Sequence, residues 1–149
     1  MVRLIDSYTE TSEVVMPDAT NNLGRALGGW VLHRMDLGGV VAARRFARSQ
    51  VVTASIERVD FHAPIDLGDI AVLTAYVYDT GETSMQVRVD VTAERPSEGV
   101  ERETASSHLT FVAIDGEESV QPVPDLAVET DEERRLREAA MDAETPPVP

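Results

Sequence analysis

G-G-W-V-L-H-R-M-D-L-G-G-V-V-A-A-R-R-F-A-R, residues 28–48, is the stretch whose reading decides the fold. Leu32, Met35, Val40 and Ala43 recur at the spacings of an amphipathic helix. Arg44, Arg45 and Arg48 fall in its last turns, where cations complement the helix dipole. Gly38 and Gly39 each cost about 1 kcal/mol against alanine inside a helix. Their presence predicts the close approach of another backbone. Asp36 interrupts an otherwise apolar face, with Leu32 and His33 behind it and Gly39 and Val40 ahead. An unpaired buried charge is very costly, so this carboxylate is expected at a site or an interface.

Outward from the helix the pattern changes to strands. Val51 to His62 (V-V-T-A-S-I-E-R-V-D-F-H), Ile70 to Tyr78, Ser84 to Glu94 and Arg102 to Ile114 read as four strands. Leu67-Gly68-Asp69 and Asp79-Thr80-Gly81-Glu82 are turns between them, and short turns favour antiparallel neighbours. Ahead of the helix, Ile5 to Met16 reads as a first strand and Ala19 to Ala26 as a loop. The expected fold is α+β: one long central helix wrapped by a five- to six-stranded antiparallel sheet. Residues 1–120 form the expected domain, and residues 121–149 a C-terminal extension. Within the extension, Glu129 to Met141 reads as a solvated helix. Its acids come first and its arginines later, and Thr130 with Glu133 offers a capping box. Glu144 to Pro149 is expected to be disordered.

The chain of 149 residues suits a single domain, and 42% hydrophobic residues can build a core. No run of about 18 apolar residues occurs, so no transmembrane helix is expected. M-V-R-L-I-D at the start lacks an apolar signal region, which points to a cytoplasmic protein. The absence of cysteine excludes disulfides, a thiol nucleophile and cysteine metal sites. His33, His62 and His108 show no metal-ligand spacing, so no metal is expected. No G-x-S-x-G elbow occurs, which argues against a serine hydrolase of the α/β type. Net charge is -14, and all 13 basic residues are arginine. Such a surface repels nucleic acid and anionic membranes, so neither is an expected partner. An acid excess without lysine suggests a salt-rich cytoplasm, where charge repulsion is screened; an acidic mesophile protein is the alternative.

P-D-A-T-N-N-L-G-R-A-L-G-G-W-V-L-H-R-M-D-L-G-G, residues 17–39, resembles the hotdog-fold acyl-CoA thioesterases of the YciA and brain acyl-CoA hydrolase type. Val51 to His62, Leu67 to Asp69 and, more loosely, Pro122 to Glu133 extend the resemblance over nearly the whole chain. It implies a hotdog fold, edge-to-edge homodimers with a continuous sheet, and hexamers built as trimers of dimers. It implies an active site at the dimer interface, with Asn21 and Asp36 from opposite subunits. The implied reaction is hydrolysis of acyl-CoA to a free acid and CoA, within fatty-acid metabolism. No cofactor is expected, since coenzyme A is part of the substrate.

Thioester hydrolysis needs an activated water and a home for the developing oxyanion. Asp36, if desolvated, would act as general base on water, or as a nucleophile forming an anhydride. Gly28 and Gly29 would offer the free N–H groups of a helix start to the oxyanion. Asp36 lies seven residues beyond Gly29, too far to reach its own helix start, so a second subunit makes geometric sense. Asn21 could orient the water or donate to the thioester carbonyl; Asn22 is a rival that spacing alone does not exclude. For the rest of the substrate the expected contacts are Trp30, Arg58, Phe61, His62, Thr83 and Ser84. Arg88, Arg44 and Arg45 are further candidates for the CoA phosphates. Glu82 stands where related sequences often carry a basic residue, which weakens a direct phosphate contact at that turn. The alternative function is a hotdog protein that binds acyl-CoA or fatty acid without turnover. A hotdog dehydratase would want an Asp/His pair placed for proton shuttling, and the loop asparagine with the helix aspartate argues against it.

Overall fold

The computed structural model of the protein describes residues 1–144. The elements are β1 (Val2–Arg3), α1 (Leu4–Ser7), β2 (Thr9–Val14), α2 (Gly28–Ala47), β3 (Gln50–Phe61), β4 (Ile70–Thr80), β5 (Ser84–Arg95), β6 (Val100–Ile114), β7 (Leu126–Ala127) and α3 (Asp131–Glu144). Five strands form one antiparallel sheet in the order β2-β4-β5-β6-β3. β1 and β7 pair in parallel as a separate two-stranded ribbon, which the sequence pattern did not announce.

Alternation along β5 explains the packing. Met85, Val87, Val89, Val91 and Ala93 are buried, while the residues between them are half-buried. One face of the sheet therefore carries the main core, against which α2 lies. The buried stripe of α2 is Val31, Met35, Gly38, Gly39, Ala42, Ala43 and Phe46. This corrects the stripe read from sequence: Leu32 and Val40 are only half-buried and flank it. Arg48, with φ 56° in the left-handed region, caps the helix end and donates its N–H to the Arg44 carbonyl.

The inner glycine pair is explained by side chains rather than by a backbone. A Cβ on Gly38 would stand 2.3 Å from Leu73 Cδ2, and one on Gly39 would stand 2.9 Å from the Phe111 ring. Phe111 is fully buried and has nowhere to retreat. Gly39→Ala gains about 1 kcal/mol of helix propensity but overpacks at a cost of about 1–3 kcal/mol. A net loss of about 1 kcal/mol is expected in a denaturant melt.

The opposite face of the sheet is covered by α1 and α3. Tyr76 and Tyr78 alternate with Ala75 and Val77 and point away from α2, into a second cluster with Leu4 and Ala140. Tyr76 Oη donates to the Leu136 carbonyl at 2.7 Å, and Arg137 Nε donates to the Tyr78 carbonyl at 3.1 Å. The expected solvated helix is thus a docked one, packed through Leu136, Ala140 and Met141. Its predicted capping box is present: Glu133 N–H donates to Thr130 Oγ1, and Thr130 N–H donates to Glu133 Oε1, both at 3.1 Å. The expected first strand, Ile5 to Met16, is divided: Leu4–Ser7 is helical and only Thr9–Val14 is strand. The disorder expected for residues 144–149 lies outside the described residues, except that Glu144 ends α3. Among the described residues no helix is long and apolar enough to cross a membrane.

Candidate active site

α2 starts at Gly28 without a side-chain cap, and the first bond of its ladder runs from Val31 N–H to Leu27 O. The N–H groups of Gly28, Gly29 and Trp30 therefore point out of the helix start. The exposed Phe61 ring stands by Gly28, 3.6 Å from where a Cβ would be. Nothing lies within 4 Å of a Cβ built on Gly29, and neither glycine has positive φ. Neither packing nor backbone conformation within one chain requires glycine at position 29. Gly29 itself is exposed.

Next to the helix start lies a groove of about 360 Å³, lined by Asn21, Gly28, Phe61, His62, Pro64 and Ile65 among others. Asn21 sits there in a turn closed by its own side chain. Its Oδ1 accepts the N–H groups of Leu23 at 2.9 Å and Arg25 at 3.2 Å. Its backbone N–H donates to the Arg25 carbonyl at 2.8 Å. The carbonyl end of the amide is thereby occupied, and Nδ2 is left as the donor. Asn22 is exposed and has no such anchoring. His62 Nε2 is 3.0 Å from Ser106 Oγ, and its N–H donates to the Thr104 carbonyl.

Asp36 does not line this groove. The distance from Gly29 to Asp36 is about 10 Å along the helix axis. The carboxylate points toward β3, where Oδ1 accepts a hydrogen bond from Thr53 Oγ1 at 2.8 Å. It is half-buried, which corrects the expectation of a desolvated aspartate on an apolar face. One residue along a helix turns the side chain by about 100°, so Asp36 falls beside the stripe that contains Met35. Within one chain it stays partly open to solvent. Thr53 is a neighbour that the sequence did not single out; an exposed strand threonine carries no signal of its own.

The surface around Asp36 is unusual for a soluble domain. β3 is an edge strand, yet Val52 and Ile56 on it are 45% and 38% exposed. Unpaired edge groups beside apolar side chains are a template for another chain.

The remaining predicted residues are dispersed. Trp30 lines a separate apolar cavity of about 230 Å³ with Val31, Leu37 and Leu73, on the β2–β4 side of α2. The Arg34 guanidinium stacks 5.2 Å from the Trp30 ring centroid and pairs with Glu13 at 3.2 Å. Arg58 has φ 48° in a β3 bulge and pairs with Asp60 at 3.0 Å. Thr83 and Ser84 lie at the β4–β5 turn, outside the groove that holds Asn21. Arg88 pairs with Asp90 at 2.8 Å. Arg44 and Arg45 line a recess with Arg48, and Arg45 also donates to the Tyr8 carbonyl. Among the described residues no three His, Asp or Glu side chains form a metal-holding group.

A family profile described as the thioesterase superfamily matches residues 23–100. The Bacillus subtilis protein named uncharacterized acyl-CoA thioester hydrolase YkhA is 39% identical over 127 residues, covering 85% of this chain and 74% of that protein. An acyl-CoA hydrolase from Staphylococcus aureus, solved with butyryl coenzyme A, coenzyme A and coenzyme A disulfide, superposes with a TM-score of 0.87. It is 33% identical, covering 95% of this chain and 86% of that one. Structures of that enzyme also exist with alanine in place of an aspartate, of an asparagine fifteen residues before it, and of a threonine seventeen residues after it. An apo hexameric acyl-CoA thioesterase superposes with a TM-score of 0.88 at 38% identity, covering 96% of this chain and 92% of that one.

Proposed function

Because the chain belongs to the thioesterase superfamily and is a thioester hydrolase, we propose that it cleaves acyl-CoA in a site completed by two copies of itself. Asp36 of one copy serves the groove at Asn21 and the Gly28-Gly29 helix start of the other. One observation carries this reading: the base and the oxyanion donors of a single chain lie about 10 Å apart on a surface left open beside the unpaired edge of β3. The same spacing of asparagine, aspartate and threonine that was altered in the S. aureus enzyme recurs here as Asn21, Asp36 and Thr53. That spacing also favours Asn21 over Asn22.

Two β3 edges pairing about a two-fold axis extend the five-stranded sheet into one of ten and cover Val52 and Ile56. Burial of that surface withdraws Asp36 from water. Hexamers, as in the superposed apo thioesterase, follow by association of three such dimers.

The chemistry proceeds in two steps. Thr53 holds one oxygen of the Asp36 carboxylate, leaving the other to accept a proton from water. The water oxygen bonds to the thioester carbon as that proton leaves. The carbonyl oxygen becomes an oxyanion, held by the Gly29 N–H and by Asn21 Nδ2. The tetrahedral intermediate then collapses, the carbon–sulfur bond breaks, and protonated Asp36 returns its proton to the CoA sulfur. The products are a carboxylic acid and CoA, and no cofactor takes part. Phe61 and His62 flank the thioester at the groove, while Arg58, Thr83 and Ser84 are assigned to the CoA moiety of the substrate.

Complementation tests the shared site. Asn21→Ala and Asp36→Asn are each expected to be nearly inactive alone. Co-expressed as mixed dimers, one of the two sites is fully wild-type, so about a quarter of wild-type activity returns in an equal mixture. No recovery in verified mixed dimers would place both groups in the same copy.

A further inference from the structure

Leu67-Gly68-Asp69 reads in sequence as a simple turn, and Gly68 at φ 87° supplies its left-handed residue. Asp69 goes beyond that role, because its side chain is only 3% exposed and sits at the centre of a charge cluster. Asp69 Oδ1 accepts a hydrogen bond from Arg95 Nε at 3.2 Å. Asp69 Oδ2 accepts from Arg102 Nη2 at 3.2 Å and from the Asp66 N–H at 3.0 Å. Asp66 pairs with the same two guanidiniums, and Glu98 approaches Arg95 at 3.7 Å. Arg102 Nη2 also donates to the Pro64 carbonyl at 2.7 Å. The ends of β5 and β6 thus grip the whole 63–69 loop by its carboxylates and its backbone.

That loop is the wall on which the Asn21 turn is built. Ala26 N–H donates to the Ile65 carbonyl and Leu67 N–H to the Gly24 carbonyl, both at 2.8 Å, and Arg25 bridges Asp66 between them. Asn21 closes on Arg25 through both its backbone and its side chain. A displacement of the 63–69 loop therefore moves Asn21 with it. Pairing a buried carboxylate with guanidiniums is a poor way to gain stability, since apolar residues of the same volume often do as well or better. What it supplies is a fixed geometry, because guanidinium and carboxylate meet only in a few orientations.

We propose that Asp69, gripped by Arg95 and Arg102, is a positioning residue for Asn21, holding its amide at the height where the thioester carbonyl is polarised. This rests on the reading of Asn21 as an active-site donor.

The test is a double-mutant cycle on thiol release from acyl-CoA. Asp69→Asn is expected to lower kcat by between about ten- and a hundredfold with KM little changed, the scale of a misplaced active-site group. In an Asn21→Ala background the same substitution should lower kcat by less than about threefold, since both changes remove one function. Full additivity of the two losses overturns the proposal and reduces the cluster to a structural brace. If Asn21→Ala alone leaves kcat intact, the reading of Asn21 fails and the positioning role falls with it, a result distinct from additivity. If Asp69→Asn melts below the assay temperature, Arg102→Gln enters the same cycle, leaving Asp69 paired with Arg95, and additivity there overturns the proposal equally.

Discussion

Asp36→Asn is expected to lower acyl-CoA turnover by about 10²- to 10⁴-fold, the range that a positioned general base contributes. The side chain keeps its size, and its remaining carbonyl oxygen still accepts the hydrogen bond from Thr53. What disappears is the capacity to accept a proton from water. Because Asp36 is half-buried and off the buried stripe of α2, the substitution should move the melting midpoint very little. A thiol-release assay, with size-exclusion chromatography on the same sample, separates the two effects. Near wild-type turnover in an intact assembly would falsify the assignment of the base. The same enzyme can distinguish general base from nucleophile. Many turnovers in ¹⁸O water would leave label in the Asp36 carboxylate if an anhydride formed and water opened it at the Asp36 carbonyl carbon, and none if water attacked the thioester directly.

The sequence located the scaffold well because the scaffold follows local periodicity. α2 was expected over Val31 to Arg48 and runs over Gly28–Ala47; β3 to β6 fall within a few residues of their expected bounds. Ser84 to Glu94 alternates so cleanly that one wet and one dry face could be read directly, and β5 has both. Tertiary contacts defeated the same reasoning at Ile5 to Met16. Strand formers there also suit a four-residue helix, and what selects the helix is a side chain far along the chain: Glu133, whose Oε2 accepts the Ile5 N–H at 3.0 Å. The docking of α3 was missed for a related reason. A helix with mostly charged residues still has a packed side if three apolar ones line up, as Leu136, Ala140 and Met141 do.

The candidate site was legible in part. Residue type and the glycine start pointed to Asp36 and Gly29, but not to the half-buried setting of the carboxylate. The exposure of Asp36 depends on its neighbours on β3, which one chain's helical pattern does not encode. Thr53 and the Asp66–Asp69–Arg95–Arg102 cluster join residues from separate elements, so no spacing along the chain marks them. The glycines illustrate the point in both directions. Gly38 and Gly39 were rightly read as sites of close approach, though side chains rather than a backbone come near. Gly29 has open space instead, so no contact within the chain explains it.

Glu133→Ala is expected to be the most destabilising single substitution outside the apolar core. The side chain is fully buried, and its carboxylate closes a clasp between the two ends of the chain. Oε1 accepts from Arg3 Nη2 at 2.9 Å, from the Thr130 N–H and Oγ1 at 3.1 Å, and from the Glu129 N–H at 3.2 Å. Truncation removes the shared acceptor of several donors and empties a buried position, at a cost of about 2–4 kcal/mol, which lowers the melting midpoint by roughly 5–15 °C. Proteolysis should open the N-terminal segment first, since Ile5 and Arg3 lose their anchor. The pH dependence gives a second, independent reading. Burial pushes the Glu133 carboxyl up, but the Arg3 guanidinium and the amides of Ile5, Thr130 and Glu129 outweigh it and hold the group at about 2, against an ordinary value of 4.5. A carboxylate held low in the folded state stabilises fully above its unfolded value. That contribution fades as pH falls from about 4.5 toward 2. In Glu133→Gln the wild-type loss of stability across this window should shrink, because no proton is taken up at that position. An unchanged acid limb in the variant would show that the clasp does not control the unfolding that the melt records.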